Sequence, residues 1–277
     1  VVFEATGSYE QLLMEQLHQN GVACKMVSPD RVRAFIRSEG VKAKNDPIDA
    51  RMLVRFAAEK RLQAMDVQPR AYRQLRALSD RRGQLVDMRA REKVRLQNSP
   101  KAVLADIQSM IRIFDKRIAK IENQIAQLIE DDPDLNARNK VITNIVGVGL
   151  VTSSAIMAYL PELTSISRNA ASSLAGLAPF DKDSGTKFGK RRIYGGRSKV
   201  RTSLYMATVS ASIHNDVIKA YIDRLRAANK PAKCAIVAGM RKLLLHIRAE
   251  LIRFEKGTWI PNSGDSRMDF TEPLTEL

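Results

Sequence analysis

The chain has 277 residues and a formal net charge of +16, with 46 lysines and arginines against 30 aspartates and glutamates. A field of that sign favours a polyanion, nucleic acid being the commonest large one, and 277 residues suffice for two domains with a connecting element. Two cysteines and three histidines without C-x-x-C or paired-histidine spacing argue against zinc, and no apolar run reaches the length of a membrane span.

Val1 to Glu4 reads as a short buried strand ending in a carboxylate. Ser8 can cap a helix running to about His18, with Leu12, Leu13 and Leu17 on its inward face and Gly21 ending it. Val22 to Val27 is a second strand, and Pro29 opens a helix with Val32, Phe35 and Ile36 inward. A helix between two strands implies a parallel crossover. Two short strands make no independently stable sheet, so either another chain supplies their partners or, as we expect, further strands lie upstream of Val1. Cys24 and Cys234 are isolated and read as reduced thiols, which points to the cytoplasm.

Asn45 to Ala50 looks like a helix start, with Asn45 or Asp46 as cap and Pro47 in the first turn. Asp46 and Asp49 share a helix face, so both could reach one metal ion, although acidic residues also favour helix N-termini for dipole reasons. Glu4 adds a third carboxylate at a strand end, where functional groups of parallel sheets collect. Three carboxylates would suit Mg²⁺ or Mn²⁺, hard ions that prefer oxygen.

From Gln68 to about Glu130 the composition turns to helix formers and charge. Ile107, Ile111, Phe114, Ile118, Ile121, Ile125 and Leu128 form a coiled-coil seam, and Asn98-Ser99-Pro100 splits the region into two helices. Either these helices make a hairpin or dimerisation arm, or the arginines between Arg70 and Arg95 add nucleic-acid contacts. Asp131-Asp132-Pro133 marks the next boundary. Gly147 and Gly149 lie in a turn between helical patterns at 135–145 and 150–160, which suits either a phosphate-binding helix-hairpin-helix or a tight turn between packed helices. Residues 181–201 carry eight basic and two acidic residues. Within them Ser184 precedes Gly185, and Lys187, Lys190, Arg191, Arg192, Arg197, Lys199 and Arg201 follow. Glycines admit a phosphate close to the backbone and arginines grip its oxygens, so the stretch is a candidate nucleic-acid contact. Ser184 is either a turn former or a nucleophile for phosphorus. Two further helices, about 200–214 and 232–254, precede a tail rich in Pro, Gly, Ser and acidic residues.

Several of these segments together resemble a known family. Glu4-Ala5-Thr6-Gly7-Ser8-Tyr9, Ser28-Pro29, Glu39-Gly40 and Lys44 to Arg51 are similar to the DEDD transposases of bacterial insertion elements, related to the Piv-type DNA invertases. Ile145 to Gly149, Leu174 to Pro179, Leu204-Tyr205-Met206 and Arg241-Lys242-Leu243 continue the likeness to about residue 255. The resemblance implies an α/β plus α architecture. A Holliday-junction-resolvase-like (RNase H-like) domain spans 1–66 and is incomplete at its N-terminus, a coiled-coil helical region spans 67–132, and a mostly helical C-terminal transposase domain spans 133–260, followed by a tail at 261–277. It implies recombination by strand exchange, with Ser184 as the attacking serine and Glu4, Asp46 and Asp49 as three of four metal-binding acids. The fourth acid would lie upstream of Val1, and a chain without it is expected to be weak or inactive. The implied partners are DNA, a guide (bridge) RNA such as some members use, and further copies of the chain in a dimer or tetramer. Two other readings fit the same residues: a metal-dependent junction nuclease using water, and a non-catalytic basic nucleic-acid-binding protein.

Overall fold

A computed structural model of the chain describes residues 1–5, 10–41, 45–65, 68–180 and 192–261, apart from the side chains of Gln11 and Phe180. The chain divides into two compact units, Val1–Pro69 and Arg70–Leu277. The described residues are mostly helical, with four short strands.

In the first unit β1 (Val2–Glu4) pairs with β2 (Lys25–Val27) in parallel, Phe3 facing Met26 across the pair, and α1 (Glu10–Gln19) connects them. The parallel crossover expected from the sequence is present, although β2 starts three residues later than expected and Val22 is exposed. The expected inward face of α1 is not buried: Leu12 is 73% exposed and Leu13 45%. Two three-residue strands offer too little apolar surface to cover a helix as well as the elements already packed on them. Those elements are α2 (Pro29–Ser38) and α3 (Asp46–Glu59). Val27, Val32, Phe35, Met52 and Phe56 form the core, with the Phe35 and Phe56 rings edge-to-face at 5.4 Å. Burying this cluster is what holds the two helices on the strands, at roughly 1.5–3 kcal/mol for each side chain fully removed from water.

The second unit opens with two long helices, α4 (Arg70–Asn98) and α5 (Lys101–Asp131), broken at Ser99-Pro100 as the sequence suggests. They pack on each other along their length as an antiparallel hairpin. Arg82 of α4 meets Glu122 of α5 at 2.7 Å, and Arg89 meets Asp115 at 2.7 Å, so advancing along one helix retreats along the other. Ile107, Ile118 and Ile125 of the expected seam are buried, together with Ile129.

The remaining helices are α6 (Pro133–Thr143), α7 (Leu150–Tyr159), α8 (Arg168–Leu174), α9 (Ser198–His214), α10 (Asp216–Ala227) and α11 (Ala232–Glu255). α7 is the centre: Thr152 through Tyr159 are all buried, as expected of a helix apolar on every side. It packs against α4, α6 and α9, and α11 in turn covers α6, α8, α9 and α10. Each junction is fixed locally. The Asp132 side chain accepts from the Leu135 amide at 2.9 Å to cap α6, and Asn215 accepts from Ile218 at 3.1 Å to cap α10. Neither α8 nor α10 was evident as a separate helix in the sequence.

Candidate active site and nucleic-acid interface

The three acidic candidates lie in the first unit. Glu4 closes β1, half-buried; Asp46 is the first residue of α3 and exposed, and Asp49 is half-buried in the same first turn. α3 packs against β1, with Met52 and Phe56 rather than its first turn in the core. The helix is capped by Asn45, whose Oδ1 accepts from the Ile48 amide at 3.0 Å. Capping therefore does not occupy either aspartate side chain. The oxygen donors suit a hard divalent ion. The geometry does not close around one: among the described residues no three acidic, histidine or cysteine side chains form a group that could hold a metal ion.

The serine candidate belongs to the second unit. Ser184, Lys187, Lys190 and Arg191 lie outside the described residues. β3 (Pro179–Phe180) pairs antiparallel with β4 (Arg192–Ile193), Phe180 opposite Arg192. Residues 181–191 are thus the connection of a two-stranded ribbon, its ends pinned together. The ribbon returns through Gly195 and Gly196, both at positive φ. A Cβ on Gly196 would stand 2.4 Å from the amide nitrogen of Gly176 and 2.8 Å from the Leu174 carbonyl, so only glycine fits where the ribbon crosses the end of α8. The Arg197 amide then donates to the Leu174 carbonyl at 2.7 Å, locking the crossing.

The basic residues after the ribbon have partners inside the protein. Arg197 donates to the Tyr159 carbonyl at 2.7 Å and pairs with Glu162. Burial works against the Glu162 charge, and the hydrogen bond from Arg197 overrides it, so the carboxyl titrates below its ordinary value. Arg201 donates to the carbonyl of Gly195 at 2.7 Å and reaches that of Gly176 at 3.4 Å. Lys199 pairs with Asp80 of α4. Arg192 is exposed on β4.

A polar cluster that the sequence reading did not single out sits under this region. The Tyr159 hydroxyl donates to Asp80 Oδ1 at 2.6 Å, while Lys199 and Arg76 stand 5.0 and 5.8 Å from its ring centroid. Burial first, and then the bond to Asp80, raise the phenol well above its usual range. Asp80, Tyr159 and Lys199 come from α4, α7 and α9 and tie the three helices together. No short-range sequence signal marks them, because Asp80 and Tyr159 are 79 residues apart.

The two glycines of the 145–149 turn have different roles. Gly147 has φ +95, and a Cβ there would stand 2.7 Å from Cα and Cβ of Ala211 in α9. Its conformation and close approach are packing requirements. Gly149 precedes α7 with open space around it, and no side chain caps that helix. Among the described residues no helix is long and apolar enough to cross a membrane.

Two sequence-family models match the chain. One, described as a transposase of the DEDD type named for IS110, covers residues 1–104, and a second, described as transposase IS116/IS110/IS902 family, covers residues 139–223. The chain is also 28% identical over 248 residues to the pilin gene-inverting protein of Moraxella lacunata and, to the same extent, to that of Moraxella bovis. Each alignment covers 88% of this chain and 77% of the relative.

Proposed function

Since the chain belongs to the IS110 family of transposases, DNA-binding enzymes that cut and rejoin DNA, we propose that it does so through a covalent serine intermediate, with Ser184 as nucleophile. The Ser184 oxygen would bond to phosphorus, its proton leaving to a base, while the bond from phosphorus to a DNA oxygen breaks and that oxygen is protonated. A second DNA hydroxyl attacking the same phosphorus then restores the serine and seals a new strand. The phosphoester energy is conserved throughout, so rejoining needs no nucleotide cofactor. The observation that carries this reading is the ribbon: its paired strands hold both ends of the Ser184 segment on a rigid helical base.

The DEDD description implies a divalent ion, and Glu4, Asp46 and Asp49 are the donors we assign to Mg²⁺ or Mn²⁺. Such an ion would supply charge stabilisation at the scissile phosphate. We assign the first unit to the RNase H-like half of the enzyme, the helical hairpin to a coiled-coil arm, and the rest of the second unit to the transposase domain. Arg192, with Lys187, Lys190 and Arg191, would contact DNA, and Arg197, Lys199 and Arg201 would support it from below through the contacts described above. We further propose an RNA partner whose base pairing selects the target and an assembly of two or four chains; the net charge of +16 supports binding of a polyanion.

The test is trapping. The protein is incubated with DNA from its own locus, with and without co-transcribed RNA, and denatured. A protein–DNA adduct in the parent that is lost in Ser184→Ala is expected. Cleavage that survives Ser184→Ala would replace the serine by water and make the protein a nuclease, and binding without any chemistry would leave a nucleic-acid-binding protein.

A further inference from the structure

Half-buried arginines of the second unit rest on strong acceptors. Arg82, Arg89, Arg138 and Arg197 each pair with a carboxylate, while Arg201 and Arg248 donate to main-chain carbonyls. A guanidinium that gives up part of its hydration recovers the loss through such a partner. Arg241 of α11 is half-buried as well and departs from the pattern. Its Nε donates to the Ser172 hydroxyl at 3.2 Å and one Nη to the Asn169 side-chain oxygen at 3.5 Å, both on α8. Among the described residues Arg241 forms no ion pair, and its acceptors are these two neutral side chains.

Both acceptors are readily given up. Ser172 donates its own proton to the Arg168 carbonyl at 2.9 Å, so its hydroxyl keeps a bond when the arginine turns away. Asn169 is exposed and can turn to water. The two contacts aim the guanidinium, use two of its five N–H groups, and leave its charge uncompensated. A phosphate oxygen in their place exchanges neutral acceptors for a charged one, and charge-assisted hydrogen bonds are roughly twice as strong. The planar fork of arginine matches phosphate better than a lysine would. α8 also fixes where that phosphate lies. Ser172 precedes Leu174 by two residues, about 3 Å of helix rise, and the Leu174 carbonyl accepts from the Arg197 amide where the serine ribbon returns. The ribbon and the acceptors of Arg241 are therefore carried by one short helix, which α11 covers.

We propose that Arg241 binds a phosphodiester of the DNA strand held at the serine ribbon, flanking the one that is cut. The inference rests on the reading of the ribbon as the serine site. Arg241 lies beyond residues 139–223 matched to the family, and it is not among the DNA contacts assigned above.

The test is a salt titration of the full chain binding a labelled DNA duplex from its own locus, followed by fluorescence anisotropy. Each backbone contact contributes roughly 0.9 to the slope of log affinity against log salt on duplex DNA. Arg241→Gln is expected to lower the slope by about that amount and to weaken binding several-fold at low salt. Arg241→Lys keeps the charge and should keep the slope. Asn169→Ala removes one acceptor of Arg241 but no DNA contact, and Arg226→Gln removes an exposed charge of α10; both should leave the slope within error of the parent. Thermal melts show which variants are folded. A second measurement needs no variant: the duplex should slow modification of Arg241 by phenylglyoxal in the parent protein, read by peptide mass. If Arg241→Gln shifts the slope no more than Arg226→Gln, or if the duplex leaves modification of Arg241 unchanged, the contact does not exist. A fall in slope on a labelled RNA hairpin with none on DNA also overturns the proposal, because the ligand is then RNA. Both measurements read binding alone, so their failure is distinct from failure of the Ser184 reading, which shows in the covalent adduct.

Discussion

Replacing Gly147 by alanine should separate a packing role from a phosphate-binding role in the α6–α7 turn. Two costs arise independently. At φ +95 an L side chain is strained, and roughly 1–2 kcal/mol is typical of forcing one into left-handed backbone. The added methyl would also stand 2.7 Å from Cα and Cβ of Ala211 and 2.8 Å from its nitrogen. Two are backbone atoms and the third a methyl with no other rotamer, all of a fully buried residue in α9, so none can turn aside and overpacking adds about 1–3 kcal/mol. The turn cannot simply swing away, because Asn215 Nδ2 donates to the Val146 carbonyl at 3.2 Å and holds it against the α9–α10 junction. The total is about 2–5 kcal/mol, a large part of a typical domain stability of about 5–15 kcal/mol. For a unit of this size that lowers the melting temperature by roughly 5–15 °C. Gly149→Ala is the control: nothing stands within 4 Å of its Cβ and φ is −101, so its loss should stay below about 1 kcal/mol. Urea denaturation followed by circular dichroism measures both. A Gly147→Ala protein that unfolds within about 0.5 kcal/mol of the parent but binds DNA less tightly would refute the packing argument and restore the phosphate cradle.

Three other outcomes follow from the same geometry. Asn45→Ala should cost the first unit about 1 kcal/mol by removing the cap on α3, whereas Asp46→Asn should leave its melting curve unchanged and reduce adduct formation, read by gel after denaturation. His246 is pushed down to about 4, by burial first and then by the charges of Arg253 and Lys242. The unfolded chain therefore takes up this proton below about pH 6.5 while the folded chain does not, so stability falls as pH drops from 6.5 towards 4, by up to about 3 kcal/mol, and urea midpoints of His246→Gln should lack that component. Arg197→Ala should destabilise the second unit by about 1–3 kcal/mol, since it leaves the Glu162 carboxylate and the Tyr159 carbonyl without their donor; Arg197→Lys, unable to bridge both, should recover only part in the same denaturation assay.

Local chemistry was legible in the sequence, and long-range partnership was not. The Asn45-Asp46-Pro47 run announced a capped helix start, though not which of Asn45 and Asp46 caps it, and Ser99-Pro100 announced the break between α4 and α5, because both depend on neighbouring residues alone. The α5 seam was readable since a helix repeats its buried face at a fixed period. The same rule misled at α1: Leu12, Leu13 and Leu17 have helical spacing, but spacing says nothing about whether a surface exists to receive them. Asp80 and Tyr159 escaped notice because their bond joins helices far apart in the chain.

Charge shows the same division most clearly. The density of arginine and lysine between residues 181 and 201 pointed to DNA, yet Arg197 and Arg201 are bound to main-chain carbonyls, and Lys199 to Asp80. In composition these residues cannot be told from Arg224 and Lys242, which also belong to a basic run. What distinguishes the two groups is the neighbour each rests against. An arginine bridging a carbonyl and a carboxylate has its donors satisfied before any ligand arrives, and moving it to a phosphate would leave Glu162 half-buried without its partner. Arg224 and Lys242 instead stand over the Tyr221 ring, 5.3 and 4.3 Å from its centroid. A basic stretch can therefore frame a site rather than line it, and the position of the acceptors, not the density of charge, decides which.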